Sequence, residues 1–177
     1  KTVLEQTISR FLEAGIDKSD ILVVIGKRAE EVTEVLGKIG VDSVINEAYS
    51  TSDMFFSMKL GLKNLHKPFR GVLISPGDIP LIKPSTILGL IEEKERSSLS
   101  IIIPSFNKRR GHPILLGSKI ISMLDSYEGS DGLRGFLEEH KAQLHYMEVE
   151  DRLMLADMDK PEDYEKILRL YQEDREP

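Results

Sequence analysis

Two stretches of this sequence carry carboxylates at places where a folded chain could use them for chemistry. Asp78 lies in the segment Pro76-Gly77-Asp78-Ile79-Pro80, where the glycine permits a tight turn and the prolines stiffen the loop. Asp157 and Asp159 follow an apolar run near the other end of the chain. Mg²⁺ takes one or two carboxylates together with water and substrate phosphates, and it neutralises charge that develops in phosphoryl transfer. One carboxylate from each stretch therefore suits a magnesium site.

Each stretch also has an ordinary structural interpretation. Asp78 could cap the helix predicted to begin at Pro84, but the separation of six residues is too large for a direct cap. Asp159 could be the N-cap of the last predicted helix, whose first turn carries further acidic side chains that favour its positive end. Asp157 and Asp159 alternate in an extended segment, so only one of them can face a site that contains Asp78.

The elements that must position these carboxylates alternate between helix and strand. Apolar spacing predicts helices over residues 3–12, 29–39, 51–65, 84–95, 119–124, 132–140 and 161–171. Runs rich in β-branched residues predict strands over residues 21–25, 41–45, 71–75, 101–104, 113–116, 144–149 and 152–156.

The order of these elements predicts the fold class. The continuous apolar strands separated by helices are typical of parallel strands buried on two faces, whereas 101–104 and 113–116 flank a polar loop and predict an antiparallel insertion. We therefore expect a three-layer α/β/α fold with a mostly parallel sheet, in one domain that spans residues 1–177. Ligands bind such sheets outside the carboxyl ends of the strands, and Asp78 follows a predicted strand there.

Composition excludes several kinds of function. The chain has 24 Lys and Arg against 30 Asp and Glu, and this net charge of −6 gives nucleic acid no long-range attraction. The absence of cysteine excludes a disulfide, a thiolate zinc site and a cysteine nucleophile. No stretch approaches the roughly 20 apolar residues of a membrane span, and no secretory signal opens the sequence. We expect a cytoplasmic protein without nucleic-acid or membrane partners.

The order of the motifs resembles that of the MobA-like nucleotidyltransferases, and within them the branch of molybdenum cofactor cytidylyltransferases. This resemblance spans nearly the whole chain and implies a Rossmann-like fold of the nucleotide-diphospho-sugar transferase type. The residues that carry it, besides the two carboxylate stretches, are Lys1-Thr2-Val3-Leu4, Asn46, Asp53, Met54, Ser57, Arg110-Gly111-His112-Pro113 and Asp131-Gly132-Leu133-Arg134.

The resemblance implies a reaction. A nucleoside monophosphate, CMP in that branch, is transferred from a nucleoside triphosphate to a phosphorylated small-molecule acceptor such as molybdenum cofactor, and pyrophosphate is released with the help of Mg²⁺. A molybdoenzyme that receives the cofactor is an implied partner. Transfer of GMP, transfer to a sugar phosphate, and a non-catalytic module that binds a nucleotide or cofactor remain as alternatives.

The resemblance also assigns roles to residues. It implies that Asp78 and Asp159 are the catalytic metal ligands, with Asp157 as the reserve candidate. The nucleotide-binding residues that it implies are Asn46, Met54, Ser57 and Gly77, and the acceptor-binding residues are Arg110, Gly111, His112 and Arg134. The basic residues around Arg110 are equally well explained as an exposed hairpin tip, and Asp131 is expected to cap the helix that contains Arg134.

Two features depart from the family pattern. Related sequences begin with a strand and a glycine-rich loop that wraps the triphosphate, and we expect that segment to be absent from these 177 residues. The strand would be central in a sheet of this type, so its absence would leave unpaired backbone edges. Asp53 stands where related sequences generally have glycine, and its negative charge near a nucleotide leaves the base preference open.

Overall fold

The computed structural model describes residues 1–129, 131–156 and 161–173. The α-helices in these ranges are α1 (Val3–Glu13), α2 (Ala29–Ile39), α3 (Met54–Lys63), α4 (Pro84–Arg96), α5 (Ser118–Asp125), α6 (Gly132–Glu139) and α7 (Pro161–Glu173). The strands are β1 (Leu22–Ile25), β2 (Asp42–Ile45), β3 (Gly71–Ile74), β4 (Ile101–Phe106), β5 (Arg109–Arg110), β6 (Ile114–Gly117) and β7 (Leu144–Glu148). Within the same ranges, no helix combines the length and apolar character that crossing a membrane requires.

The strands form two sheet sections. β1 and β2 pair in parallel, with Leu22 opposite Asp42. In the second section β3, β6, β4 and β5 are neighbours in that order and each contact is antiparallel, while β7 pairs with β4 in parallel. β3, β4 and β7 therefore run in one direction and only β5 and β6 oppose them. The predicted α/β fold with an antiparallel insertion is confirmed.

Side chains of the larger section alternate between two helical layers, as expected for strands buried on both faces. On one face Ile102 and Leu115 pack with Leu90 of α4. On the other face Ile101 and Ile103 belong to a cluster to which α3, α5 and α6 also contribute, with Phe136 fully buried at its centre. These two clusters define the three layers, and burial of their apolar surface is the main favourable term for the fold.

Two helices connect the sheet sections. α1 packs Ile8 against Ile25 of β1 and also contributes Phe11 to a cluster that includes Leu73 of β3. α3 does the same on the opposite face, because it joins the cluster around β3, β4 and β6 and brings Gly61 against Val24 of β1. In the described part of the chain, β1 pairs with β2 alone and β3 with β6 alone. Packing of α1 and α3 therefore links the two sections.

Three local predictions are wrong. Residues 152–156 do not form a strand, because Arg152–Leu155 is a 3₁₀ helix whose Leu153 N–H donates to the Asp151 carboxylate at 3.1 Å. The helix predicted from residue 51 begins at Met54, and its cap is Asp53, which accepts from the Phe56 N–H at 2.8 Å. Asp131 occupies the N-cap position of α6, but its side chain makes no capping hydrogen bond.

Candidate functional site

The loop after β3 places Asp78 at the carboxyl end of that strand. Its neighbours Ile79 and Pro80 are buried, whereas Gly77 is exposed, so the loop is held from below and open at its tip. Asp78 Oδ1 is inaccessible to solvent and accepts no hydrogen bond from the described residues. Buried polar atoms are nearly always paired in native structures, and an unpaired carboxylate oxygen calls for an explanation.

Helix α1 holds this loop through two side chains. Thr7, which is buried, donates its hydroxyl to the Gly77 carbonyl at 3.0 Å, and Arg10 Nε donates to the Pro80 carbonyl at 3.2 Å. The two carbonyls lie on either side of Asp78 in the chain. The sequence analysis missed both donors, and the available signal was a polar threonine beside Ile8 on the apolar side of a helix.

Asp78 fits a divalent cation. Burying a carboxylate oxygen without a partner costs free energy, and a coordinated cation removes that cost. Among the described residues, no three His, Asp or Glu side chains are grouped as a metal site. Mg²⁺ needs only one or two protein carboxylates when water and phosphates supply the rest. Asp157 and Asp159 lie outside the described residues, so the second ligand stays a prediction.

Asn46 organises the segment between β2 and α3. Its Nδ2 donates to Ser52 Oγ at 2.9 Å and to Ser57 Oγ at 3.0 Å, and its Oδ1 accepts from the Ala48 N–H at 3.0 Å. The side chain is 2% exposed. Asn46 and Ser57 are therefore brought together as predicted binding residues, but the Asn46 amide is used inside the protein, which suits a role in shaping the segment.

The start of α3 lies beside the start of α6. Met54 is 74% exposed at the first position of α3 and is available to a ligand. The Asp53 carboxylate caps its own helix, and a Cβ placed at Gly132 would lie 3.7 Å from Asp53 Oδ2. Arg134 is exposed on α6. The structure thus brings one predicted nucleotide-binding residue and one predicted acceptor-binding residue onto neighbouring helix ends.

The β4–β5 hairpin presents Arg110. Asn107 and Lys108 both have positive φ, 50° and 64°, as a two-residue turn of the mirror-image type requires. The Arg110 guanidinium lies over the Tyr146 ring, 5.0 Å from its centroid, which is a cation–π contact. Tyr146 itself is 42% exposed, and no local pattern in the sequence indicates this contact between two strands that lie far apart along the chain.

Arg110 and Arg134 act on the same carboxylate. A hydrogen bond from Lys141 lowers the pKa of Glu138, and the charges of Lys141, Arg110 and Arg134 lower it further. Lys141 pairs with this exposed carboxylate at 3.0 Å, whereas Arg110 and Arg134 act on it through their charges alone. The two guanidinium groups are suited to an anionic ligand.

Gly111 connects this hairpin, through Met154, to the apolar cluster beneath the Asp78 loop. Gly111 is buried, its N–H donates to the Pro104 carbonyl at 2.8 Å, and a Cβ added there would lie 2.6 Å from Met154 Sδ. Met154 is buried in the same cluster as Ile79, the neighbour of Asp78. Gly111 is thus explained by close packing, and His112, half-buried beside it, is the more accessible of the two.

Asp151 is a buried carboxylate that sequence reasoning missed. Its Oδ2 accepts from the Lys83 N–H at 2.9 Å and the Thr86 hydroxyl at 2.7 Å, and its Oδ1 accepts from the Leu153 N–H. Lys83 is the N-cap residue of α4, so Asp151 caps that helix from a distant segment. Nothing in the local sequence distinguishes Asp151 from the other acidic residues near it. Its role is to hold the segment that follows the Asp78 loop.

The fold and the edge at which Asp78 lies define a Rossmann-like α/β domain of the nucleotide-diphospho-sugar transferase type. The family model described as "MobA-like NTP transferase domain" matches residues 1–144. The chain belongs to this family.

Comparisons with individual proteins agree with that fold. The Rv0371C protein of Mycobacterium tuberculosis H37Rv, crystallised in complex with manganese, superimposes with a TM-score of 0.77 at 22% identity, covering 96% of this chain and 87% of that one. Molybdopterin-guanine dinucleotide biosynthesis protein A from Archaeoglobus fulgidus gives a TM-score of 0.64 at 15% identity, covering 98% and 87%.

A curated relative matches a shorter stretch. The Bifunctional protein GlmU of Staphylococcus saprophyticus subsp. saprophyticus is 28% identical over 97 residues, which is 55% of this chain and 20% of that protein. The chain therefore spans about a fifth of the length of this relative.

Proposed function

We propose that this protein is a nucleotidyltransferase that moves a nucleoside monophosphate from a nucleoside triphosphate to a phosphorylated small-molecule acceptor and releases pyrophosphate. The observation that carries the proposal is the buried Oδ1 of Asp78, which lies at the ligand edge of the sheet and has no partner among the described residues. Membership of the MobA-like family supports the same reaction class. A bound Mg²⁺ would supply charge neutralisation at the transferring phosphate.

The residues of the chain have separate tasks in this proposal. Asp78 provides one metal ligand, and Asp159 provides the second, with Asp157 in reserve. Asn46 and Ser57 shape the segment at which exposed Met54 meets the nucleoside, and the exposed backbone of Gly77 faces the phosphates beside Asp78. No covalent nucleophile is required, because in-line attack of the acceptor on the α-phosphorus needs only positioning and charge stabilisation.

In this proposal the phosphorylated acceptor binds at the arginines of the β4–β5 hairpin and of α6. Arg110 and Arg134 are exposed, the charge of each lowers the pKa of Glu138, and His112 follows Arg110 by two residues in the chain. Guanidinium groups bind phosphate oxygens through paired hydrogen bonds, so this surface suits the phosphate of an acceptor. Molybdenum cofactor with CMP transfer is the first combination to test, with a molybdoenzyme as the recipient of the product.

GMP transfer is the second candidate. It is favoured by the likeness to the molybdopterin-guanine dinucleotide biosynthesis protein of Archaeoglobus fulgidus. The two candidates differ in the nucleobase alone, so the side chain of Met54 and the segment around Asn46 would decide between them.

One assay separates these proposals. The full-length protein is incubated with Mg²⁺, molybdopterin or a sugar 1-phosphate, and CTP or GTP in turn, and pyrophosphate release is measured. We expect release with CTP and molybdopterin. Release with GTP would establish the second candidate, and release with the sugar phosphate would reassign the acceptor. Nucleotide binding without any release would indicate a non-catalytic binding module and contradict the proposal.

A further inference from the structure

Helix α1 crosses the Asp78 loop and contacts it at three places along one side. Leu4 Cδ1 lies 3.3 Å from the position that a Cβ on Gly77 would take. Thr7 Oγ1 lies 3.0 Å from the Gly77 carbonyl oxygen, and Arg10 Nε lies 3.2 Å from the Pro80 carbonyl oxygen. Since these three positions are spaced three residues apart, they share one side of the helix.

The bond from Thr7 acts on Asp78 through one peptide plane. The Gly77 carbonyl, the Asp78 N–H and the Asp78 Cα lie in one peptide plane. A hydrogen bond that holds the Gly77 oxygen therefore also fixes the position of the Asp78 Cα. Thr7 is 3% exposed, and its single hydroxyl proton is shared between the Gly77 carbonyl at 3.0 Å and the Val3 carbonyl of its own helix at 3.1 Å. The contact with Gly77 is therefore shielded from water, where a hydrogen bond is strongest.

Arg10 limits the loop at its other end. Its side chain is 14% exposed, and while Nε donates to Pro80, Nη1 donates to Glu13 Oε2 at 2.8 Å. The second contact holds the guanidinium plane, so the donor directed at Pro80 has a defined orientation. The two prolines restrict φ between and around these anchored carbonyls. Asp78 is thus the centre of a segment whose ends are both fastened to α1.

We infer that Thr7 is a positioning residue for the metal-binding carboxylate, and that Arg10 supports it at the Pro80 end. This inference rests on the proposed function. Thr7 touches neither metal nor substrate, but it keeps the Asp78 carboxylate in the direction in which a cation can be bound. A metal ligand is useful only in a narrow range of geometry, so release of the Gly77 carbonyl lowers cation affinity.

The test measures binding of Mn²⁺ alone to the nucleotide-free full-length protein, by the electron paramagnetic resonance signal of the free ion. Thr7→Val removes the hydroxyl while preserving the branched shape, and Thr7→Ser keeps the hydroxyl. We expect Thr7→Val to weaken Mn²⁺ binding about three- to tenfold, the range that one lost hydrogen bond allows, and Thr7→Ser to restore it to within about twofold of the parent.

Ser9→Ala is the matched control. The Ser9 hydroxyl donates to the Glu5 carbonyl of the same helix at 2.8 Å and accepts from Lys1 Nζ at 3.0 Å, so its loss removes two bonds at the start of α1 without reaching the loop. We expect Mn²⁺ affinity equal to that of the parent. If Thr7→Val is not recovered as a folded protein, Arg10→Gln removes the donor to Pro80 from the other end and is expected to weaken binding in the same direction.

Two outcomes separate this inference from the proposed function. Mn²⁺ affinity that is equal in Thr7→Val, Arg10→Gln and Ser9→Ala, while Asp78→Asn loses binding, would overturn the positioning role alone. Unchanged Mn²⁺ affinity in Asp78→Asn would contradict the metal role of Asp78 and with it the basis of the inference. In the pyrophosphate assay, Thr7→Val should raise the Mg²⁺ concentration that gives half-maximal rate and leave the acceptor KM unchanged.

Discussion

The Asp78 loop and the β4–β5 hairpin are held in opposite ways. The loop is fastened at Gly77 and Pro80 by side chains of α1, and it contains a buried carboxylate oxygen that has no partner among the described residues. The hairpin ends in a two-residue turn, and its Arg110 is exposed and rests on one aromatic ring. A metal ligand needs one geometry, whereas a side chain that receives an acceptor can be held by fewer contacts. The difference supports our proposal that the anchored Asp78 loop, the rigid region, binds the metal and that the exposed Arg110 binds the acceptor.

The largest effect is expected from Asp78→Asn, which tests the metal role of the rigid region. The amide preserves the size of the side chain but removes the negative charge, so we expect the fold to persist and kcat to fall by roughly a thousandfold. Pyrophosphate release at saturating Mg²⁺ measures the loss, and circular dichroism monitors the fold. Turnover within about threefold of the parent would remove the metal role from Asp78.

Asp151→Ala removes the carboxylate that holds the segment after the Asp78 loop. Lys83 N–H and the Thr86 hydroxyl would lose a charged acceptor in a buried place, and we expect the free energy of unfolding to fall by about 3 kcal/mol. Urea denaturation measures the change. Asp125→Ala is the control, since Asp125 pairs with Lys63 at the surface and should contribute less than about 1 kcal/mol. Equal effects of the two substitutions would show that Asp151 is not a structural anchor.

At the hairpin, combined Arg110→Ala and His112→Ala should raise the acceptor KM roughly ten- to a hundredfold while nucleotide affinity is unchanged, because a charge-assisted contact is lost from one substrate alone. Arg109→Ala is the matched control, since neighbouring strand residues point to opposite faces. Initial rates at varied acceptor concentration provide the measurement. Weaker nucleotide binding with intact acceptor kinetics would place the hairpin on the nucleotide side.

The smallest effect is expected from Tyr146. Tyr146→Ala removes the ring beneath Arg110, and an exposed cation–π contact is worth about 0.5–1 kcal/mol, so the acceptor KM should rise about two- to fivefold. Tyr146→Phe keeps the aromatic face and should behave as the parent does. A larger loss in the phenylalanine variant would mean that the hydroxyl, and not the ring, carries the contribution.

The sequence predicted the rigid region better than its supports. The position of Asp78 at a strand end follows from local signals, namely a β-branched run followed by a glycine between prolines. Thr7 and Asp151, which hold that region, lie about seventy residues away along the chain from the atoms that they contact. Local periodicity carries no information about such contacts, so a buried threonine and a buried aspartate remained hidden among ordinary polar residues.

Contacts between distant parts of the chain also explain where the local predictions failed. The apolar run Leu153-Met154-Leu155 fits a short strand as well as a helical turn. The 3₁₀ helix forms because the Asp151 carboxylate accepts from the Leu153 N–H at its start. Asn46 stood out correctly after a strand, but only the fold shows that its amide is used by two serines. The antiparallel insertion was predictable, because the polar stretch between two apolar runs is a local hairpin signal.

The packing of helix α1 has a consequence for how distant substitutions act on the metal site. Ile8 lies in one apolar cluster with Leu36, and Phe11 lies in another with Ile79. Contacts to both clusters fix the rotation of α1 about its own axis, and this rotation sets the direction in which Thr7 and Arg10 donate. A cavity created at Leu36 would therefore reach the Asp78 carboxylate by rotating a helix, without removing any contact of the loop itself.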